Sequence, residues 1–238
     1  MLKTTLALVF GATLASCSSD DAKAPAGPVE TIDPFCASRP KLQFCEDFDT
    51  AELPSQFAEK TETAAKLQLD TRDPESPPRI LFAEAYVGAP RAILSRTFDT
   101  PGKKFKLFFQ AKKLGAAAPD QSVEIAALEY PAIAYRVSVE LKNGLPTVFE
   151  TVGGAAPKAL SGVIPFPEDW VSFRFDIVFE EDGSGTATVR FGTEVAVEAP
   201  LMPPAEAASP TLSLGIAASK PGPAGWGYFF DNVTFQVE

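Results

Sequence analysis

The sequence predicts an all-β domain of antiparallel strands packed as a sandwich, and three observations predict it. From Leu42 onward, apolar residues recur at every second position in run after run, the period of a half-buried strand. Turn formers separate the runs: Pro101-Gly102, Asn143-Gly144, Asp182-Gly183 and Phe191-Gly192. No segment keeps a helical period of about 3.6 residues over three turns. Hydrophobic residues make up 45% of the 238, enough to bury the core of one large β domain.

The amino terminus is built differently. Met1-Leu2-Lys3 is a short basic start, followed by an apolar stretch from Thr4 to Ala15. That stretch is shorter than the roughly 20 residues that span a bilayer as a helix. It has the length of a secretory apolar region. It ends Leu14-Ala15-Ser16-Cys17, which resembles the lipobox of bacterial lipoproteins. The resemblance implies that residues 1–16 are a removed signal peptide and that Cys17 is acylated, its thiolate being the nucleophile. At about 0.8 kcal/mol per buried methylene, several acyl chains anchor a protein to a membrane effectively irreversibly. By the enterobacterial sorting rule, Ser18 in place of Asp implies the outer membrane of the cell envelope. Residues 17–33 are small, polar and rich in Pro and Gly, a linker composition. The β-sandwich domain is then expected over 34–238.

Within the domain, Phe105, Leu107, Phe109 and Ala111 share one face of a strand. Val123, Ile125 and Ala127 are expected on one face of the next, with Glu124 and Ala126 on the other. Tyr135, Val137, Val139 and Leu141 form a third such face, Val171 to Phe179 a fourth, and Leu212, Leu214 and Ile216 a fifth. The stretches 116–119 and 203–208 are expected as loops.

Composition excludes whole classes of function. The chain has no His, so it forms no Ser-His-Asp triad and no His-ligated zinc site. Any general acid or base is Asp, Glu, Lys or Tyr. The net charge of −10 leaves the chain as a whole without the basic footprint of a nucleic-acid partner. Cys36 and Cys45 remain after Cys17. Export to an oxidising compartment makes them a disulfide, clipping the incoming chain to the first strand. The bridge closes a short loop and is expected to contribute about 2–3 kcal/mol.

Short motifs then point to a family. The domain opens Phe44-Cys45-Glu46-Asp47-Phe48-Asp49. Its middle reads Asp169-Trp170-Val171-Ser172-Phe173, with a hairpin at Asp182-Gly183, and it closes Tyr228-Phe229-Phe230-Asp231-Asn232-Val233. This order is similar to the concanavalin A-like lectin/glucanase jelly rolls, laminin G-like domains included, over roughly residues 42–238. The resemblance implies a jelly roll whose last strand, carrying Asp231-Asn232-Val233, pairs near the first. It also implies that Trp170 is structural. The glycan hydrolases of that fold carry Glu-x-Asp-x-x-Glu on one strand face, and this spacing is absent here. Glu124 and Glu129, five apart on one strand, are expected on opposite faces. The Glu180-Glu181-Asp182 run is expected as a solvated hairpin tip.

Two kinds of site remain as expectations. For carbohydrate, the stacking candidates are Tyr86, Tyr130, Tyr135, Trp226 and Tyr228, with Trp226 in a loop-like Pro223-Ala224-Gly225-Trp226-Gly227 setting that would expose its ring. For a structural calcium ion, Glu46, Asp47 and Asp231 are the carboxylates that would converge where first and last strands meet. The expected function is a non-catalytic binding module for carbohydrate on a membrane-anchored envelope lipoprotein. The alternatives are a glycan-active hydrolase or lyase of the same fold, and a structural lipoprotein that contacts envelope protein.

Overall fold

The computed structural model describes residues 35–49, 52–204 and 209–238. The predicted signal peptide, Cys17 and linker lie outside these residues. Strands follow the alternating runs: β1 Phe44–Glu46, β2 Glu59–Thr63, β3 Ala65–Asp70, β4 Ile80–Ala85, β5 Arg91–Thr97, β6 Lys104–Leu114, β7 Ser122–Tyr130 and β8 Tyr135–Lys142. They continue with β9 Leu145–Val152, β10 Lys158–Ser161, β11 Val171–Phe179, β12 Gly185–Phe191, β13 Glu194–Leu201, β14 Thr211–Ala217 and β15 Trp226–Val237. A 3-10 turn, Pro131–Ile133, joins β7 to β8.

Two antiparallel sheets stack as a jelly-roll sandwich. Sheet A runs β13-β12-β11-β6-β15-β4-β3, and sheet B runs β10-β9-β8-β7-β14-β5-β2. The last strand pairs with the first, Phe44 opposite Phe235, as the family pattern implied. Strand β15 is shared along one side: β4 pairs with Trp226 to Phe230, and β1 with Val233 to Phe235. Asn143-Gly144 closes the β8–β9 hairpin with φ of 53° and 74°, the positive angles a two-residue turn needs.

The inner faces of both sheets meet in one apolar core. Its substance is Phe. Phe109 stacks on Phe173 at 4.5 Å between ring centroids, and Phe98 lies 4.7 Å from Phe235. A ring of this size removes on the order of 150 Å² or more from water. The disulfide Cys36–Cys45 is formed, with Cα atoms 5.6 Å apart, and ties the chain before β1 to that strand.

Register shifts break the period of two in several pairings, and two of them bear on the candidate residues. In β7 the pairing with β8 slips between Glu124 and Ala126, so Ala126, not Ala127, joins Val123, Ile125 and Leu128 in the core. In β15 the pairing with β6 slips between Asp231 and Thr234. An extra residue at a bulge reverses the faces of everything beyond it.

A smaller apolar cluster sits on the outer face of sheet A, formed by Ile80, Phe82 and Phe229 with Trp170 packed against it. The loop between β3 and β4 lies over it. Trp170 Nε1 donates to the Asp73 carbonyl at 3.1 Å, and the Arg72 guanidinium is 5.3 Å from the Phe82 ring centroid. Trp170 is therefore structural, as expected, but it packs on this outer cluster, not in the core between the sheets.

Candidate functional site

The β7 bulge builds the site on the outer face of sheet B. Glu129 pairs with Arg136 and Glu124 with Glu140 in the β7–β8 register. Residues 136 and 140 are four apart on an unbulged strand, so they share a face. The bulge brings Glu124 onto that face beside Glu129, and the expectation that the two point to opposite sides is corrected. Arg136 joins them. Its Nε donates to Glu129 Oε1 at 2.5 Å and its Nη2 to Glu124 Oε2.

Electrostatics follow from burial. Burial lifts the Glu124 carboxyl above its ordinary range against the pull of Arg136, and Glu140 and Glu129 add to the rise. Burial works against the Arg136 cation, but Glu124 and Glu129 more than offset it and hold its pKa above the usual value. Charge-assisted hydrogen bonds of this kind are stronger than neutral ones, and removing one partner of such a desolvated group leaves a costly unpaired charge.

The group opens on a cleft of about 530 Å³, lined also by Thr63, Pro90, Arg91, Ser122 and Ser219. That is the size of a small-molecule site. Hydroxyls continue across the sheet. Thr211 stands opposite Glu129 and next to Thr97, with 2.8 Å between their oxygens, and Ser213 faces Ser95. Ser122 Oγ is buried without a hydrogen-bond partner, an unused polar group of the sort a ligand satisfies.

The aromatic candidates fare differently. Trp226 begins β15 and is 2% exposed. Its Nε1 donates to the Pro223 carbonyl at 3.0 Å, so the polar handle is satisfied within its own turn and the ring goes into the core. Tyr130 and Tyr135 are also in the core. The Tyr135 hydroxyl is 3.0 Å from Glu150 Oε1, and burial pushes both phenols well above their usual range. Tyr228 is buried too, its ring edge-on to Phe166, although it borders a separate cleft with Lys113 and Glu168. The expectation of stacking platforms at these four positions is corrected. Of the five, Tyr86 is exposed, at 41%. It lies in the β4–β5 loop, whose Ala89 and Pro90 line the sheet B cleft.

The calcium candidates lie near the β1–β15 junction, but backbone amides hold their oxygens. Glu46 accepts from Phe48 N and Gln56 N, both at 2.8 Å. Asp47 accepts from Cys36 N at 3.1 Å. Asp231 Oδ2 accepts from Ser76 N at 2.8 Å and Ser76 Oγ at 3.1 Å, and its Oδ1 from Asn232 N at 2.8 Å. Among the described residues no three acidic, Cys or His side chains are grouped to hold a metal ion. The expected convergence of Glu46, Asp47 and Asp231 on a cation is replaced by three amide-capped carboxylates. Burial raises the Asp231 carboxyl to about 7 against those donors.

No protein-family model matches the chain, and no curated sequence matches it. Solved structures do share its fold. The endo-β-1,4-glucuronan lyase of the fungus Trichoderma reesei superposes with a TM-score of 0.64 at 12% identity, over 83% of this chain and 96% of that one. Cip1, a cellulose-induced protein, gives 0.57 at 10% identity, over 82% and 97%. A carbohydrate esterase from the Shiga toxin-encoding bacteriophage phi24B gives 0.53 at 13%, over 81% and 95%. Identities this low establish the jelly-roll sandwich, and one fold hosts many activities.

Proposed function

We propose that this chain is a lipid-anchored protein of the bacterial envelope whose sandwich binds carbohydrate on the outer face of sheet B without catalysing a reaction. The observation that carries this reading is the cleft where Glu124, Glu129, Arg136 and Glu140 meet a field of Ser and Thr hydroxyls. Sugars are recognised by such fixed donors and acceptors. Three solved structures of similar fold, by their names, act on carbohydrate or are induced by it. Non-catalytic binding is supported by the Arg136 clamp, which ties down both carboxylates that would otherwise be free for acid-base work.

Anchoring rests on Leu14-Ala15-Ser16-Cys17 after an apolar stretch. Among the described residues no helix is long and apolar enough to cross a membrane. Labelling with a radioactive fatty acid in a bacterial host tests the anchor: label should enter the wild type and not Cys17→Ser. Label retained by that variant refutes the assignment.

The binding reading is tested with a glycan array probed by the full-length chain in a non-glycosidic detergent. Specific binding lost in Glu129→Gln and Arg136→Gln supports it, and an empty array refutes it. One observation favours a second reading, a retaining hydrolase: the bulge sets two Glu carboxyls on one face, and such enzymes use a pair about 5 Å apart. Release of new reducing ends from a bound glycan, abolished by Glu124→Gln, would select it.

A further inference from the structure

The opposite face of the sandwich carries a second cleft, unlike the first. It lies on the outer face of sheet A, about 450 Å³ in volume, between strands β6 and β11 and the segment before β1. Phe108 of β6 forms one wall. Phe35 forms the other, its ring nearly parallel to Phe108 at 6.4 Å between centroids. Phe35 is held in place from two sides. Its neighbour Cys36 is bonded to Cys45 of β1, and the Arg39 guanidinium stacks on the ring at 3.6 Å while donating to the Phe35 carbonyl. The wall is thus ordered before any ligand arrives, which lowers the cost of binding.

The charge here runs against the rest of the molecule. Lys106, Arg174 and Arg39 line the cleft, with Asp176 as its one acidic lining residue, and Lys106 is paired with Glu238 at 2.7 Å. Arg174 stands directly opposite Arg190 on β12. Like charges paired across strands destabilise a sheet, and neither guanidinium forms an ion pair with a carboxylate among the described residues. Asp176 acts on both through space. An Arg174 without a carboxylate partner beside the Phe108 ring, in a chain of net charge −10, has the chemistry of an anion site.

We propose that this cleft binds an acidic saccharide: a sugar ring whose apolar face lies against Phe108 beside Phe35 and whose carboxylate or phosphate is held by Arg174, which has no carboxylate partner of its own. Guanidinium suits both anions through its planar fork of donors. The site stands on the other sheet from the carbohydrate cleft proposed above and does not depend on it.

Calorimetry on the full-length chain in a non-glycosidic detergent tests this with three probes: a glucuronate trisaccharide, glucose 1-phosphate and neutral cellotriose. One or both acidic probes should bind with an affinity that depends on Arg174, and any binding of cellotriose should not depend on it. A response to the uronate alone or to the phosphate alone identifies the anion. Arg174→Ala, an exposed change that leaves the core untouched, should weaken binding by about tenfold or more, as loss of a charge-assisted hydrogen bond does. Phe108→Ala should weaken it as well, and Arg174→Lys should restore part of the affinity. Glu129→Gln on sheet B should leave binding of the acidic probes unchanged. The proposal is overturned if neither acidic probe binds, if Arg174→Ala is neutral toward them, if their affinity follows Glu129→Gln, or if cellotriose binding is weakened by Arg174→Ala as much as theirs; cellotriose binding lost in Glu129→Gln alone reports the sheet B cleft.

Discussion

Asp231 in β15 and Glu124 in β7 both stand beside a bulge in a strand with neighbours on either side, and both carry a carboxyl raised by burial. Their surroundings part from there. Asp231 faces a loop that covers sheet A and takes two backbone amides and the Ser76 hydroxyl. Its capacity as an acceptor is used in holding that loop. Glu124 is buried as well, but it shares Arg136 with Glu129 and lines a cleft. The same local device therefore yields a carboxylate held by backbone amides in one sheet, and one held by an arginine at the edge of a cleft in the other. Amide donors are fixed by the fold. An arginine can exchange partners with a ligand, and that difference separates scaffold from site.

Four experiments break or sharpen this contrast. The largest effect is expected at Trp226, which belongs to the scaffold side: Trp226→Ala should cost about 3–5 kcal/mol in denaturant unfolding, as removal of a buried indole does. A loss of glycan affinity at unchanged stability would instead return that ring to a ligand surface. Arg136→Ala comes next. It leaves Glu124 and Glu129 facing each other without their cation and should cost about 2–3 kcal/mol, the partial exposure of Arg136 tempering the penalty of a buried broken pair. Adding Glu124→Gln and Glu129→Gln should restore most of that loss, and failure to do so would show that Arg136 acts through packing instead.

Opening the disulfide by Cys36→Ser with Cys45→Ser should cost about 2–3 kcal/mol by the chain-entropy account, read from unfolding curves with and without reductant. The wild type should respond to reductant and the variant should not.

The most diagnostic effect is on pH dependence. The Asp231 carboxyl sits at about 7 in the fold against an ordinary 3.8. Between those values the folded chain keeps a proton that the unfolded chain has released. Stability from this group is then full below about pH 4 and is lost as pH rises through 7. Asp231→Asn should flatten that slope in thermal melts taken from pH 4 to 8. A slope that survives the substitution would place the linked proton elsewhere.

Much of the scaffold was legible from local chemistry. The Phe105 to Ala111 alternation, the Asn143-Gly144 hairpin and the Cys36–Cys45 pair each rest on neighbours in sequence, and each appears where the residues say. The site was less legible. Counting by twos puts Glu124 and Glu129 on opposite faces, and only the register with β8 shows the extra residue between them. Trp226 carries the Gly and Pro flanks of an exposed loop, yet its burial is set by β4, distant in sequence, where Ala85 pairs with it.

The sequence by itself determined the strand pattern, the turns, the disulfide and the exclusion of histidine chemistry, because each depends on residue type and short spacing. The tertiary structure alone decided which carboxylates share a face, which are capped by amides, and where cations gather against the net charge. Those outcomes depend on strand register and on which loop covers which sheet, and both are settled by contacts between residues far apart in the chain.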